Sequence, residues 1–464
     1  MIRNTFVPVN GLPPEILLRI LECRTRESDL VAATQVCRYW RSTLTSSPSL
    51  WSCFQFQSSH DLDRTLTYLK RSKSAPIDVS INTGLTENLD VLEYLAPRIA
   101  RTRSLVIQAY HDIHTASLLF CNPAPLLQHL EILSTSEGVV HLPDNFLGQQ
   151  APSLRSVSLV RICPTLESLF PLPNLTEFHL SLVDDTAPFR VGALFQFLSE
   201  SPLLQKIGVD VHDRSVQDVF LNEVISLESL VELDCDCDCA SQIIPFLRLP
   251  RLKRLRVTSR EQGRAQTLAD VLPYGGRPLL AGVTKILYRS GAPYSVELSG
   301  NGVDVSFRVP PPTETTLLDW SPDQTWIPFG QIEDLEFRGL SPTRIGLHIN
   351  AFALENLRVL RVVLFNEERT KGLLRAFHPG PGTAEVPCRS LQEIEVYNTY
   401  WGSQEPLPRL LVSIVRERKQ ASCQLRLVSL VVGYEGYHRD FLLELKEHVG
   451  EVRAREHEPG NGGV

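Results

Sequence analysis

Apolar residues in the order Leu-x-x-Leu-x-Leu, with substitutes, return along most of this 464-residue chain. They stand at Leu127/Leu130/Ile132, Leu154/Val157/Leu159, Leu175/Phe178/Leu180, Leu204/Ile207/Val209, Leu230/Leu233/Cys235 and Leu252/Leu255/Val257. After a gap they resume at Ile332/Leu335/Phe337, Leu357/Leu360/Val362 and Leu391/Ile394/Val396. Weaker copies stand at Leu105/Ile107, Val283/Ile286 and Leu425/Val428/Leu430. The last two apolar positions of a copy enclose one residue, mostly polar, which is the alternation of a strand that buries one face. Helical spacing precedes several copies, at Val191/Leu194/Phe195/Leu198, Val216/Val219/Phe220/Glu223 and Leu410/Leu411/Ile414/Val415. Alternating helix and strand with short links gives parallel strands, hence an α/β fold. One copy cannot cover its own apolar face, so neighbours must stack on it. Residues 111–450 are expected to form one such solenoid.

Steps of 27, 21 and 26 residues (Leu127 to Leu154, Leu154 to Leu175, Leu204 to Leu230) fall in or near the window of leucine-rich repeats. The residue enclosed by the two apolar strand positions points away from the core. Read in order, those positions are Glu131, Ser158, His179, Gly208, Asp234, Arg256, Glu336, Arg361 and Glu395. Acidic Asp234 and Asp236 precede basic Arg254 and Arg256 by one repeat. A face of mixed sign suits selection of one protein by charge pattern better than general polyanion binding. Residues 260–330 interrupt the repeat with Gly275-Gly276, Gly300-Asn-Gly302 and Pro310-Pro-Pro312. Turn residues dominate there, with a strand pair expected around Gly300 to Gly302. Trp320 and Trp326 in this insertion are further candidate contacts for a target.

The N-terminal residues follow a different pattern. Pro13 and Pro14 suit a first helical turn, and Ile16, Leu17, Ile20 and Leu21 recur at helical spacing behind them. Ser28 and Asp29 are expected to cap a second helix. Ala33, Val36, Cys37, Trp40 and Leu44 form a further stripe, which Arg38 and Arg41 avoid. About forty residues of short helix sit near the lower limit for independent folding, so such a module gains from docking on something else. The ordered blocks Leu12-Pro-Pro-Glu, Val36-Cys-Arg-Tyr-Trp-Arg41 and Leu50-Trp51 resemble the F-box. That resemblance implies a three-helix module at 1–57 that docks on a Skp-family adaptor and, through it, a cullin-based (SCF) ubiquitin ligase. Leu12, Pro13, Ile16, Leu17, Ile20, Val36, Cys37 and Trp40 match the family's adaptor-contact positions. The chain would then be a non-catalytic substrate receptor without cofactor, its repeats holding a target protein. The alternative is a leucine-rich-repeat scaffold whose F-box does not serve ubiquitination.

Residues 58–110 connect the two patterns. Asp61 to Leu69 reads as a helix and Ile77 to Ile81 as a strand. The run through Ala75-Pro76, Leu95-Ala-Pro-Arg-Ile-Ala100 and Arg103-Ser-Leu-Val-Ile107 is similar to fungal F-box proteins with irregular leucine-rich repeats. Lys70, Arg71 and Lys73 read as a solvated helix end, where cations are favourable. The tail from Glu451 to Val464 is expected to be disordered. A net charge of −7 argues against a nucleic-acid partner. Ten scattered cysteines imply reduced thiols, and no apolar run reaches a membrane span, so a cytoplasmic or nuclear protein is expected. In Asp234-Cys-Asp-Cys-Asp-Cys239 the alternation sends the thiols one way and the aspartates the other, which favours inward small apolar residues over a metal site. His111-Asp-Ile-His114 is too short of ligands to hold a metal. Phosphate-loop, nucleophile-elbow and His-Glu-x-x-His motifs are lacking, which lowers the odds of an enzyme.

Overall fold

The structure is a computed structural model. It describes residues 8–22, 27–56, 62–83, 89–109, 117–135, 140–143, 145–164, 172–182, 191–211, 224–237, 240–258, 273–274, 280–290, 294–309, 329–339, 353–364, 367–379, 386–398, 406–432 and 439–456. The chain divides into two compact units, Met1–Leu230 and Val231–Val464. The expected helix at Val216 to Glu223, the His111 to His114 pair, Trp320 and Trp326 lie outside the described residues, as does Cys239.

The first unit opens with α1 (Pro14–Glu22), α2 (Glu27–Val36) and α3 (Arg38–Ser46), then a short 3-10 turn at Pro48–Trp51. Ser28 and Asp29 do not precede the second helix. They lie within its first turn, because the helix already begins at Glu27. A mostly parallel ladder follows: β1 (Cys53–Phe56), β2 (Ile77–Thr83), β3 (Thr102–Ala109), β4 (His129–Ser134), β5 (Ser156–Val160), β6 (Glu177–Leu182) and β7 (Lys206–Val211). The helices α4 (Leu62–Arg71), α5 (Leu89–Leu95) and α6 (Val191–Ser199) fall between strands. The ladder therefore starts well before residue 111, at Cys53 near the end of the N-terminal 1–57 segment, and runs through the connector.

Register explains why the pattern repeats. Phe54, Val79, Leu105, Leu130, Val157, Phe178 and Ile207 stand opposite one another strand by strand, and all are buried. A one-residue slip would turn this whole set to solvent, which fixes the register. Each such side chain contributes on the order of 2 kcal/mol of burial. The first leucine of a copy does something else. Its N–H closes a turn onto the carbonyl three residues earlier, as in Leu127 to Ala124 (3.1 Å), Leu175 to Leu172 (3.0 Å) and Leu204 to Ser201 (3.3 Å). The earlier residue is buried each time, a repeat position that the Leu-x-x-Leu-x-Leu pattern does not contain.

The second unit carries β8 (Glu232–Cys237), β9 (Arg254–Thr258), β10 (Lys285–Ser290), β11 (Tyr294–Gly300), β12 (Val303–Val309), β13 (Asp334–Gly339), β14 (Val359–Leu364), β15 (Glu393–Asn398), β16 (Leu427–Val432) and β17 (Glu451–Glu456). Its helices are α7 (Glu367–Ala376), α8 (Pro406–Gln420) and α9 (Arg439–His448). The insertion is built into the sheet. β12 pairs parallel with β9, β10 pairs parallel with β13, and antiparallel β11 lies between them. The hairpin of β11 and β12 turns at Asn301-Gly302, both at positive φ (45° and 81°), the backbone that a two-residue primed turn requires. The tail from Glu451 is not disordered over its first six residues. Glu451–Glu456 pairs with Leu427–Val432 and extends the ladder. Its alternating Glu and Arg hid an edge strand from hydropathy, since edges are kept charged.

Candidate functional site

The first three helices bury Leu17, Leu30, Ala33 and Leu44 against one another. Tyr39 Oη donates to the Leu12 carbonyl at 2.8 Å, and Arg41 Nε donates to the Thr34 carbonyl at 3.0 Å. These bonds tie the entry turn to α3 and α3 to α2. What remains outside is apolar: Ile16 is 45% exposed, Ile20 50% and Val36 53%. Pro13 is exposed as well, while Leu12, Cys37 and Trp40 are half-buried. Leu17, expected among the contacts, is fully buried and belongs to the module's own core. Helical spacing cannot separate the two roles, since Ile16, Leu17 and Ile20 lie within one turn of each other. Ile16 and Ile20 sit at i and i+4 on one face, so they form a continuous ridge that water wets unfavourably.

This ridge lies within a recognisable module. Residues 9–57 match the F-box-like family. The chain carries an F-box-like domain. No curated protein matches the chain.

The F-box-like domain is joined to the ladder through Trp51. Its indole Nε1 donates to the Leu44 carbonyl at 2.8 Å, and its ring meets Tyr68 of α4 edge-on at 4.9 Å. The Arg71 guanidinium lies 4.3 Å over the same ring. Arg71 is thus held by a cation–π contact rather than fully solvated as the sequence suggests. Arg101 caps the same helix, donating to the carbonyls of Ala75 (2.9 Å) and Leu69 (3.3 Å) and to Ser72 Oγ (3.1 Å). Burial lowers its pKa, with Arg98 adding to the effect.

The outward face of the second unit is organised in three rows that cross its strands. The row at the N-terminal ends of the parallel strands is acidic on balance, with Glu232, Asp304, Asp334, Glu393 and Glu451 against Arg254 and Lys285. The middle row holds the expected positions Asp234, Arg256, Glu336, Arg361 and Glu395. Its charges are largely paired: Arg256 to Asp234 at 3.1 Å, and Arg361 to Asp334 at 2.6 Å and to Glu395 at 3.0 Å. Burial works against the Arg361 charge, but Asp334, Glu395 and Glu336 outweigh it and raise its pKa. Arg254 likewise pairs with Glu232 at 2.9 Å. The third row, at the C-terminal ends, has Asp236 as its acid and Arg308, Arg289, Arg338 and Arg455 as bases, with Val363, Tyr397 and Val431 between the last two. Of the sequence candidates, Asp234 and Arg256 lie in the middle row, Arg254 in the first and Asp236 in the third, whose bases escape the sequence because its members come from strands up to 219 residues apart in the chain (Asp236 to Arg455).

Cys235 is buried on the inner face, as its place in the repeat requires. The described residues hold no cluster of three or more His, Cys, Asp or Glu able to bind a metal, and no helix long and apolar enough to cross a membrane. Cys388 is buried with its thiol pushed up to about 12 by desolvation, which Arg418 only partly opposes, so it is a poor nucleophile near neutral pH.

Proposed function

We propose that this protein is a non-catalytic substrate receptor: its F-box-like domain binds a Skp-family adaptor, and through it a cullin ligase, while its repeats hold a target protein. The observation that carries this reading is the exposed ridge of Ile16 and Ile20, together with exposed Val36, within residues 9–57. A hydrophobic ridge on a module this small has few uses other than docking. On this reading the parallel ladder is a leucine-rich-repeat solenoid whose outward face meets the target. Ubiquitin transfer takes place elsewhere in the complex, and the receptor acts by raising the target's effective concentration near the loaded enzyme. Co-purification of the full chain with a Skp-family adaptor, compared with a chain lacking residues 1–57, tests the proposal. Adaptor should be recovered with the first and not the second, and Leu12→Ala/Pro13→Ala should lower recovery. Equal recovery from the truncated chain would contradict it.

A further inference from the structure

We propose that the third row of the second unit, and not the paired middle row, is the docking track for an extended acidic segment of the target with an apolar side chain at its centre. This deepens the receptor reading and rests on it. In the middle row, Arg256 and Arg361 are spent on cross-strand carboxylates. In the third row, Arg289 reaches Glu297 at 3.4 Å and Arg338 meets Glu336, whereas Arg308 and Arg455 make no ion pair among the described residues. Arg289 and Arg338 stand directly opposite on neighbouring strands. Like charges so placed weaken a sheet, a cost that Glu297 and Glu336 offset, and Arg308 and Arg455 are the charges left to an occupant.

The chemistry of the row is ordered along its length. Arg308, Arg289 and Arg338 cluster at one end around the near-buried Ser295. Val363, Tyr397 and Val431 follow in strict register, and Arg455 closes the row. Tyr397 is 36% exposed, and its ring offers a flat apolar surface between the arginine cluster and Arg455. From Arg308 to Arg455 the row crosses eight strands, roughly 34 Å at the usual interstrand spacing. An extended segment of about ten residues covers that length. Carboxylates at both ends and an apolar residue near the middle complement the row position by position.

The rows beside it exclude a broader polyanion. Glu297 and Glu336 pair with Arg289 and Arg338 from the middle row, and Tyr397 Oη donates to Glu395 at 3.5 Å, so phosphates spread over the face would meet these carboxylates.

The test uses the full-length protein and a random twelve-residue peptide display library. Selection should enrich peptides with a hydrophobic or aromatic residue flanked by Asp and Glu. The synthetic consensus peptide, followed by fluorescence anisotropy, should bind at least about tenfold more weakly to Arg308→Glu/Arg455→Glu and to Tyr397→Ala, and more weakly in high salt. Both variants should melt like the parent. Failure to enrich any peptide, a basic or uncharged consensus, undiminished binding by both variants, or displacement of the peptide by a single-stranded oligonucleotide would each overturn the inference. Adaptor recovery is measured on the same variants and should not change. If the parent itself fails to recover adaptor, the receptor reading falls while the peptide result still decides the track.

Discussion

Single residues carry the clearest division of labour in this chain. Leu17 and Ile16 are neighbours with the same chemistry, yet one is fully buried and the other nearly half exposed. The first holds the F-box-like domain together and the second is available to a partner. Arg418 shows the opposite economy, a charge used only for structure. Its side chain is fully buried, and it donates to the carbonyls of Pro387 (2.8 Å) and Cys388 (2.6 Å). Desolvation lowers its pKa, with the thiols of Cys388 and Cys423 opposing the shift. Those carbonyls belong to a turn in which Cys388 sits at φ 50°, a left-handed conformation that needs outside support. Arg418→Met keeps most of the packing and removes both bonds, leaving the buried Pro387 carbonyl unmet while that of Cys388 keeps only the Leu391 N–H. It should cost about 3 kcal/mol in urea denaturation. A loss well under 1 kcal/mol would show that water reaches the turn.

The strands were legible because their apolar positions must coincide from one copy to the next. Even the weak copies at Leu105, Ile286 and Val428 take their places in β3, β10 and β16. The helices at Val191–Ser199 and Pro406–Gln420 likewise follow from their spacing. Two features escaped for physical reasons. The turn that starts each copy depends on a backbone bond, and its buried residue varies from Ala124 to Ser201 to Cys388. The insertion escaped in part: Val283/Ile286 marks its first strand and Gly300 to Gly302 its hairpin, but nothing local says that the hairpin enters and completes the ladder between β9 and β10. Gly300 makes this entry possible. It adopts φ 150°, and a Cβ there would lie 2.6 Å from the Gly282 carbonyl oxygen and from Thr284 N. Gly300→Ala should therefore cost about 2 kcal/mol and loosen β10 to β12. Faster amide hydrogen exchange confined to those strands is the expected signature. Unchanged exchange there would mean that the sheet tolerates the shift.

Across the whole chain, chemistry is distributed unevenly. The F-box-like domain offers an apolar ridge, and the second unit offers a face whose charge changes sign along its strands. The F-box-like domain was readable because its ordered blocks lie close together in a short module, whereas helical spacing could not tell buried Leu17 from exposed Ile16 and Ile20. The target face was readable only in outline, because its rows assemble from strands scattered over the sequence and its charges are decided by cross-strand pairing. Both functions depend on a partner, so the first association decides the account. Titration of the full-length protein with a purified Skp-family adaptor in a calorimeter, repeated with Ile16→Asp/Ile20→Asp, measures it directly. The account predicts stoichiometric binding by the parent and at least about a hundredfold weaker binding by the variant, since two apolar anchors are replaced by charge. Equal heats of binding from parent and variant, with both proteins folded, would contradict it.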